Sequence, residues 1–345
     1  MYSIAELQTR LHQLGALPAH RDRVLRHWLH NIPLDKGRRA LQHFLPLAVR
    51  EALPELMGEL ASLARLQEQH PGADGSERLL VGLQDGQSAE AVLLPRGGLC
   101  VSSQVGCAVG CRFCMTGQGG LVRQLGSAEI LAQLALARQI RPVRKVVFMG
   151  MGEPSHNLAA VLEAIELMGT VGQIGHKQLV FSTVGDARIF DQLRQARVRP
   201  ALALSLHSSN AQRRRELLPR AAPLEPQWLV EEADRYGRDT GYPVQYQWTL
   251  IEGVNDSAEE IDGVARLLAG RWGVLNMIPY NSVPALPYQR PDWERCRAIA
   301  RELHQRGVLT KLRDSAGQDV DGGCGQLRAR AQQQALQPIR LLRQG

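Results

Sequence analysis

The sequence predicts an α/β fold, a partial or full TIM-type (β/α) barrel that follows a small helical N-terminal accessory domain. Strand-like and helix-like segments alternate from residue 98 onwards, which favours a parallel sheet with crossover helices. Six such units and a closing strand fit a barrel better than a dinucleotide-binding fold. The first 70 residues read instead as helical and basic.

The N-terminal module is expected to span residues 1–95. In its helical part, Leu25, Trp28 and Ile32 share one face at three- and four-residue spacing. The turn-rich segment 70–77 interrupts the helical pattern. After it, RLLVGLQDGQSAEAVLLP reads as a β-hairpin around an Asp-Gly turn. The module therefore combines basic helices with one hairpin.

The predicted barrel occupies residues 96–330, and a tail occupies residues 331–345. The strands, in order, are GLCVSSQVG, KVVFMG, QLVFSTVG, ALALSLH, VQYQWTLI, VLNMIPYN and VLTKLRD. A helix-like segment such as NLAAVLEAIELM follows each of the first six. Because barrels of this type carry their functional groups at the carboxyl ends of the strands, we look for the site there.

The composition favours a soluble cytoplasmic protein that has no contact with membranes. Apolar residues make up 44% of the 345 residues, which is enough for a sizeable core. No apolar run approaches the ~20 residues of a membrane span, and the first residues lack a charged-then-apolar export signal. The net charge of +7 suits a polyanionic partner such as nucleic acid, although it equally describes a basic surface.

Three cysteines follow the first barrel strand within eight residues. Cys107, Cys111 and Cys114 lie in CAVGCRFC, whereas Cys296 lies in a predicted helix and is expected to be structural. Thiolates bind zinc or iron–sulfur clusters. A structural zinc site needs a fourth ligand, while a 4Fe-4S cluster with three thiolates leaves one iron free for a substrate or cofactor. The residues alone leave both possibilities open.

The cysteine loop, with Phe113 before its last cysteine, resembles the cluster motif of radical S-adenosylmethionine (SAM) enzymes. In those enzymes the amino and carboxylate groups of SAM chelate the fourth iron, and electron transfer cleaves SAM to a 5′-deoxyadenosyl radical. Six motifs occur in the order LCVSSQVGC, FMGMGEP, FSTVG, LSLH, IPYN and CGQL. Together they resemble the RlmN/Cfr family of radical-SAM RNA adenine methyltransferases over about residues 88–328.

The resemblance implies a SAM-binding set at the ends of four predicted strands. Glycine lets the backbone approach a ligand closely, and a carboxylate can bind the SAM ammonium group. Hydroxyl, imidazole and amide groups can hydrogen-bond the ribose, carboxylate and adenine. Taken singly, each residue could equally be a turn or helix-cap residue. The implied set is Gly152, Glu153, Ser182, Ser205, Leu206, His207 and Asn281.

The resemblance also implies a two-cysteine mechanism that uses two SAM molecules per turnover. The Cys324 thiolate takes a methyl group from the first SAM, and the radical from the second removes hydrogen from that methyl group. The carbon adds to adenine, Glu90 accepts a proton, and Cys100 attacks the Cys324 sulfur to form a disulfide. Without the resemblance, Cys324 reads as a loop thiol, Cys100 as a buried strand cysteine and Glu90 as a solvated hairpin glutamate.

The implied activity is methylation of an adenosine base, expected at carbon 2, with ribosomal RNA as first candidate and transfer RNA as second. The implied partners are RNA, an electron donor such as flavodoxin, and a thiol reductant. RNA contact is expected from the N-terminal helices and from Arg213, Arg214 and Arg215. Three alternatives are carbon-8 methylation, a radical-SAM enzyme with a non-RNA substrate, and a zinc-stabilised RNA-binding module.

Overall fold

The computed structural model describes residues 3–34 and 41–329, so the predicted tail lies outside the described residues. The strands are β1 (Arg65–Pro71), β2 (Glu77–Gly82), β3 (Ser88–Leu94), β4 (Gly98–Cys100), β5 (Gln104–Gly106), β6 (Leu121–Gln124), β7 (Lys145–Phe148), β8 (Leu179–Thr183), β9 (Ala201–Ser205), β10 (Val244–Leu250), β11 (Gly273–Pro279) and β12 (Thr310–Leu312). Strands β5 and β6 form a separate antiparallel ribbon, and the other strands form one sheet.

The helices alternate with the strands after residue 125, as the sequence predicts. They are α1 (Ile4–Gln13), α2 (Pro18–His30), α3 (Leu47–Ser62), α4 (Met115–Gln118), α5 (Ser127–Ile140), α6 (Leu158–Gly169), α7 (Ala187–Gln195), α8 (Ala211–Leu217), α9 (Pro226–Thr240), α10 (Ala258–Leu268) and α11 (Trp293–Gln305). Within the described ranges, no helix combines the length and apolar character that crossing a bilayer requires.

The sheet contains the parallel array that the sequence predicts. Strands β4, β7, β8, β9, β10, β11 and β12 pair in parallel in that order. The second neighbour of β4 is β3, not β12, so the parallel strands of the described chain form a partial barrel, the first of the two predicted forms. All the carboxyl ends lie at one edge, which brings the strand-end residues together.

The predicted hairpin is present and extends the same sheet. Strands β2 and β3 pair antiparallel, with Leu80 opposite Glu90, and β3 pairs in turn with β4, with Val92 opposite Cys100. The boundary expected near residue 95 therefore falls within one continuous sheet. Strand β1 covers the outer edge of β2; it is largely exposed, and a register irregularity interrupts its pairing.

The N-terminal helices pack against the outer face of α5. Leu25 and Trp28 lie on α2 and are buried, whereas Ile32 lies beyond the end of the helix and is 43% exposed, so the prediction that it shares their face is wrong. The reason is local: α2 ends at His30, and Asn31 adopts a left-handed conformation that turns the chain away. The Asn31 side chain then donates a hydrogen bond to the carbonyl of Ala135 in α5 (2.8 Å), which fixes this end of α2 on the barrel.

Cys296 is fully buried on α11, as expected of a structural cysteine. It packs in the continuous apolar core that fills the space between the sheet and its helices. Its thiol lies 3.7 Å from the carbonyl oxygen of Pro291 and makes no contact with the cysteine loop. This residue therefore offers a matched control for cysteine substitutions at the site.

Candidate active site

The three-cysteine loop connects the β5–β6 ribbon with the short helix α4, whose N-cap is Cys114. The Cys107 amide donates to the Gly120 carbonyl (2.8 Å), which closes the base of the loop. Gly106 precedes it with φ +76°, and a Cβ there would lie 2.0 Å from the Gly120 oxygen. Only glycine fits this position, so the local sequence fixes the path on which the cysteines lie.

All three cysteines line one cavity of about 150 Å³ at the carboxyl ends of the strands. Burial raises the pKa of Cys107 to about 12. Burial also raises the pKa of Cys111 well above its usual value, and the neighbouring Cys114 and Cys107 thiols raise it further. Three thiolates side by side repel one another, so the arrangement favours a bound cationic centre that takes them in deprotonated form.

The donor set fits a 4Fe-4S cluster better than a single zinc ion. Among the residues that the structure describes, no three His, Cys, Asp or Glu side chains converge as ligands of one metal ion. In a 4Fe-4S cluster, four cysteines ordinarily supply one thiolate to each iron, so the sulfurs need not meet at one centre. Cys107, Cys111 and Cys114 can thus bind three irons of a cluster and leave the fourth open.

The loop after β7 borders the same cavity with Gly152 and Glu153. Gly152 has φ +105°, and a Cβ there would lie 2.7 Å from the Gln104 side chain. The buried Glu153 carboxylate accepts hydrogen bonds from the amides of Ser155 (3.1 Å) and Val184 (3.0 Å). Each oxygen keeps a lone pair for a ligand. Glu153 can therefore stabilise the turn after β7 and also bind an ammonium group.

The structure brings five of the seven predicted SAM-binding residues to the cavity wall: Gly152, Glu153, Ser182, Ser205 and His207. The Leu206 side chain instead packs in the core. Asn281 lies beside the cavity, where its amide nitrogen donates to the Ser315 hydroxyl (2.8 Å) and the Cys324 carbonyl (2.9 Å). Its amide oxygen is buried without a partner. A buried acceptor of this kind calls for a donor, and a bound SAM would bring one.

A larger open groove of about 680 Å³ lies on the outer helices, and its walls contain none of the predicted site residues. Size therefore does not identify the site in this protein. The smaller cavity is distinguished by convergent thiols and polar groups at strand ends.

His207 is held in a single orientation by its surroundings. Its backbone is left-handed (φ +59°), and the Asn255 side chain donates to its carbonyl (2.7 Å). Its Nδ1 accepts the Thr249 amide (3.0 Å), so the neutral ring carries its proton on Nε2. The Phe113 ring meets it edge-on at 5.0 Å. Burial, with the nearby Arg214 charge, lowers the pKa of His207 to about 3, so the ring is neutral. Its side chain lines the cavity.

We expect His207 to make the protein less stable in mild acid. The pKa of His207 is depressed from 6.5 to about 3 on folding, so the unfolded chain binds a proton first. Stability from this residue is complete above pH 6.5 and is lost below it, at a rate approaching about 1.4 kcal/mol per pH unit. Urea unfolding at several pH values should show a shallower acid loss in His207→Gln. The exposed His12→Gln variant is the control, and equal slopes in all three proteins would contradict the assignment.

The Cys324 loop, residues 315–329, reaches the cavity from the carboxyl end of the described chain. The Met115 amide donates to the Gly325 carbonyl (2.7 Å), and the Thr116 hydroxyl donates to the Leu327 carbonyl (2.6 Å). These bonds join it to the cysteine loop. Cys324 is exposed and borders the cavity. The surrounding protein raises the pKa of its thiol, while the Ser315 hydroxyl lowers it.

Cys100 lies behind the Cys324 loop at the end of β4. It is buried and packs among residues that include Leu327 and Ala329. Burial raises the pKa of the Cys100 thiol, and the nearby Cys324 thiol raises it further, which places the two sulfurs in one neighbourhood. All six cysteines of the chain are described, and all are free. The predicted disulfide is therefore not present in this structure.

Glu90 is buried beneath the Cys324 loop, and its interpretation as a solvated hairpin residue is wrong. The side chain is 1% exposed and does not line the cavity. One carboxylate oxygen accepts from Arg78 (2.5 Å), and the other accepts from the amides of Arg328 (2.6 Å) and Ala329 (2.9 Å).

Arg214 does not face RNA, and that prediction is wrong. It is 3% exposed, and its guanidinium donates to the carbonyls of Val184 and Ser205 at the ends of β8 and β9. Burial lowers its pKa to about 10, which leaves it charged at neutral pH beside Cys111. Arg213 is partly engaged through the Val254 carbonyl (2.6 Å), whereas Arg215 is exposed and stays a candidate for RNA contact.

Comparison with known proteins agrees with this site. The model of the radical SAM superfamily matches residues 101–268. A probable RNA methyltransferase of Azoarcus sp. is 65% identical over 327 residues, which cover 95% of this chain and 94% of the relative. One of Methylibium petroleiphilum is 66% identical over 328 residues, covering 95% and 93%. The crystal structure of a radical SAM methyltransferase from Sphaerobacter thermophilus superposes with a TM-score of 0.81 at 33% identity, covering 95% of this chain and 98% of that one.

The shared sheet and the matched cysteine loop make this chain a radical SAM enzyme, which confirms the fold and the enzyme class predicted from the sequence. The sequence identity of more than 60% with these relatives, along nearly the whole chain, also shows which radical SAM enzymes it belongs with. The chain belongs to the radical SAM RNA methyltransferases. Membership implies a 4Fe-4S cluster and SAM as cofactors, and the thiols and strand-end polar groups described above fit both.

Proposed function

We propose that this protein methylates carbon 2 of an adenosine base in RNA through an S-methylcysteine at Cys324. The observation that carries the proposal is the position of the Cys324 thiol, on the wall of the cavity that the three cysteines line. A radical SAM enzyme in which no cysteine carries the methyl group has no need of a fourth thiol in this cavity. The names of the relatives support RNA as the substrate.

The cysteines and the polar strand-end groups of the cavity have separate roles in this proposal. A bound cluster and two SAM molecules per turnover would supply a methyl group and a 5′-deoxyadenosyl radical. Cys107, Cys111 and Cys114 hold the cluster, and the polar strand-end groups bind SAM. Cys324 accepts the methyl group as a thiolate, so its thiol must first lose a proton, and the surrounding protein raises the pKa of that thiol. Asn281 fixes the Cys324 backbone next to the SAM site.

Cys100 supplies the second thiol. Its place behind the Cys324 loop suits attack on the Cys324 sulfur after the carbon has bonded to adenine. That attack breaks the carbon–sulfur bond and leaves a disulfide, which a thiol reductant must reduce before the next turnover. The released carbon takes up one proton to become the methyl group, and the one electron that the radical adduct must lose would pass to a bound cluster. The adenine must lose a proton, for which we propose Glu90. This role requires its hydrogen bonds to Arg328 and Ala329 to open when RNA binds.

Ribosomal RNA is the first candidate substrate and transfer RNA the second. The net charge of +7 suits a polyanion, and a base inside a structured RNA must be flipped out to reach a cavity at the barrel end. An electron donor of the flavodoxin type would reduce the cluster. We place the protein in the cytoplasm, where reducing conditions keep its free thiols available.

Peptide mass spectrometry tests the proposal directly. The protein is reconstituted anaerobically with iron and sulfide, incubated with methyl-labelled SAM and digested. We expect the label on the Cys324 peptide and none on the Cys296 peptide, which is the internal control. Cleavage of SAM with an unlabelled Cys324 would refute the cysteine carrier and favour a radical SAM enzyme with another substrate.

Nucleoside analysis of the RNA product tests the position of methylation. Ribosomal and transfer RNA are incubated separately with the reconstituted protein and then hydrolysed. We expect 2-methyladenosine; 8-methyladenosine would support the carbon-8 alternative. Metal analysis of the same preparation should find iron and sulfide, and zinc without iron would support the RNA-binding module.

A further inference from the structure

Strands β1, β2 and β3 and their turns hold the Cys324 loop through hydrogen bonds separate from those to the cysteine loop. At the β1–β2 turn, the Asp74 carboxylate accepts the Gly317 amide (3.0 Å). The Asp319 carboxylate in turn accepts the Ala73 amide (2.8 Å). These two bonds run in opposite directions between the same two segments, so the turn and the start of the loop are docked together.

A buried ion pair on the hairpin reaches both sides of Cys324. Arg78 on β2 bonds to Glu90 on β3 (2.5 Å), and Arg78 Nε donates to the Val320 carbonyl (2.6 Å). The second oxygen of Glu90 accepts the amides of Arg328 and Ala329. Val320 precedes Cys324 by four residues, and Arg328 follows it by four. One ion pair therefore holds both flanks of the catalytic cysteine.

The energetics favour a docked loop. Arg78 is 3% exposed and Glu90 is 1% exposed, so neither can exchange its partners for water. A buried charge is tolerated only when its hydrogen bonds are made, and bonds to charged groups are the stronger ones. If the loop left, Arg78 Nε and one Glu90 oxygen would lose their partners. The pair thus makes undocking costly at both flanks of Cys324.

We propose that Arg78 is a positioning residue for Cys324: with Glu90, it docks residues 317–329 so that the thiol faces the cavity. Loss of Arg78 then slows methyl transfer to Cys324 without changing the cluster site. The structural part of the proposal stands on the hydrogen bonds alone, and its consequence for chemistry rests on the function proposed above. It also gives Glu90 a role in the resting enzyme that does not depend on proton transfer.

Amide hydrogen exchange on the full-length protein tests the docking. In Arg78→Met we expect exchange of peptides within residues 316–329 to rise roughly tenfold or more, while barrel-strand peptides keep wild-type rates. Asp85→Asn is the matched control, because Asp85 lies on the same hairpin and pairs with Arg123 (2.5 Å) away from the loop. Wild-type protection of the loop in Arg78→Met would overturn the proposal.

A double variant covers the case in which Arg78→Met leaves Glu90 charged and fails to fold. Arg78→Met with Glu90→Gln removes both buried charges, and such replacements are often neutral for stability. We expect it to fold, with thermal unfolding close to wild type, and still to expose the loop amides to exchange. A folded double variant with wild-type loop protection would overturn the proposal.

Methyl transfer to Cys324 provides the second readout. In Arg78→Met we expect labelling of Cys324 from SAM to fall roughly tenfold or more, since small misplacements of a reacting group cost that much. SAM cleavage in the absence of RNA should stay within about twofold of wild type, because Arg78 bonds to Glu90 and Val320 and to no residue assigned to the cluster or to SAM. Arg78→Lys should be intermediate, since Arg78 reaches Val320 and Glu90 from two different nitrogens of a rigid fork, whereas lysine has a single nitrogen. Equal labelling of Cys324 in wild type and Arg78→Met would refute the role of Arg78 in positioning the thiol. An unlabelled Cys324 in the wild type would refute the proposed function. In that case the hydrogen-exchange experiment would still decide whether Arg78 docks the Cys324 loop.

Discussion

Replacing Cys100 with alanine is expected to leave RNA covalently attached to the protein at Cys324. In the proposed function, the bond between the Cys324 sulfur and the methyl-derived carbon is broken only by attack of a second thiol. Cys100 packs against the Cys324 loop, whereas Cys296 is buried in α11. Without Cys100 the reaction should stop after one addition, so release of methylated RNA should fall by roughly a hundredfold or more.

Denaturing gel electrophoresis with labelled RNA would detect the adduct, and peptide mass spectrometry would locate it. The yield should not exceed one RNA per protein chain, since no further turnover follows. Cys296→Ala is the control and should release free product as wild type does. Free methylated RNA from Cys100→Ala at the wild-type rate would contradict a role for this thiol.

Replacing Cys111 with alanine is expected to abolish the cluster and all chemistry that depends on it. Three thiolates are the whole protein contribution to the proposed centre, so removal of one leaves two irons without a protein ligand. Cys111 also lies beside the buried Arg214, which would then lose the thiolate that compensates its charge. Iron and sulfide content after anaerobic reconstitution should fall to a small fraction of wild type, and SAM cleavage should fall by roughly a thousandfold.

Absorption spectroscopy and iron analysis check this result on the same samples. Cys296→Ala should retain the full iron content, which separates loss of a ligand from a general effect of losing a thiol. A Cys111→Ala protein with a complete, active cluster would show that the cysteine loop is not the cluster site.

The sequence was informative where function depends on neighbours in the chain. Cys107, Cys111 and Cys114 share one loop, so their spacing predicts a metal site, and the resemblance to the radical-SAM motif selects a cluster over zinc. The strand-end residues were also accessible to prediction, because a parallel sheet brings all its carboxyl ends to one edge whatever the detailed packing. Asn281 shows the limit: its place at a strand end was predictable, but its bond to the Cys324 carbonyl was not.

Long-range polar contacts were the part that the sequence did not reveal. Arg214 sits in a run of three arginines, which suggests a solvated face, and only the fold shows that one of the three turns inward. For Arg78 a signal was available: the hairpin register pairs Arg78 with Val92, which makes Glu90 its diagonal neighbour on the same face. Opposite charges at diagonal positions of a buried hairpin are a pairing signal. What the hairpin cannot reveal is that Val320, Arg328 and Ala329 complete the pair.

The exposed outer strand of the sheet has a consequence for the behaviour of the protein in concentrated solution. Strand β1 has the sequence RLQEQHP, with charges, a proline and an irregular register, the features by which proteins keep sheet edges from pairing with other molecules. The next strand, β2, carries Leu79, Leu80 and Val81, all buried. A chain cut after β1 would present this apolar strand as its new edge. Self-association into aggregates would then compete with folding. By covering the edge of β2, strand β1 therefore protects the sheet from edge-to-edge aggregation.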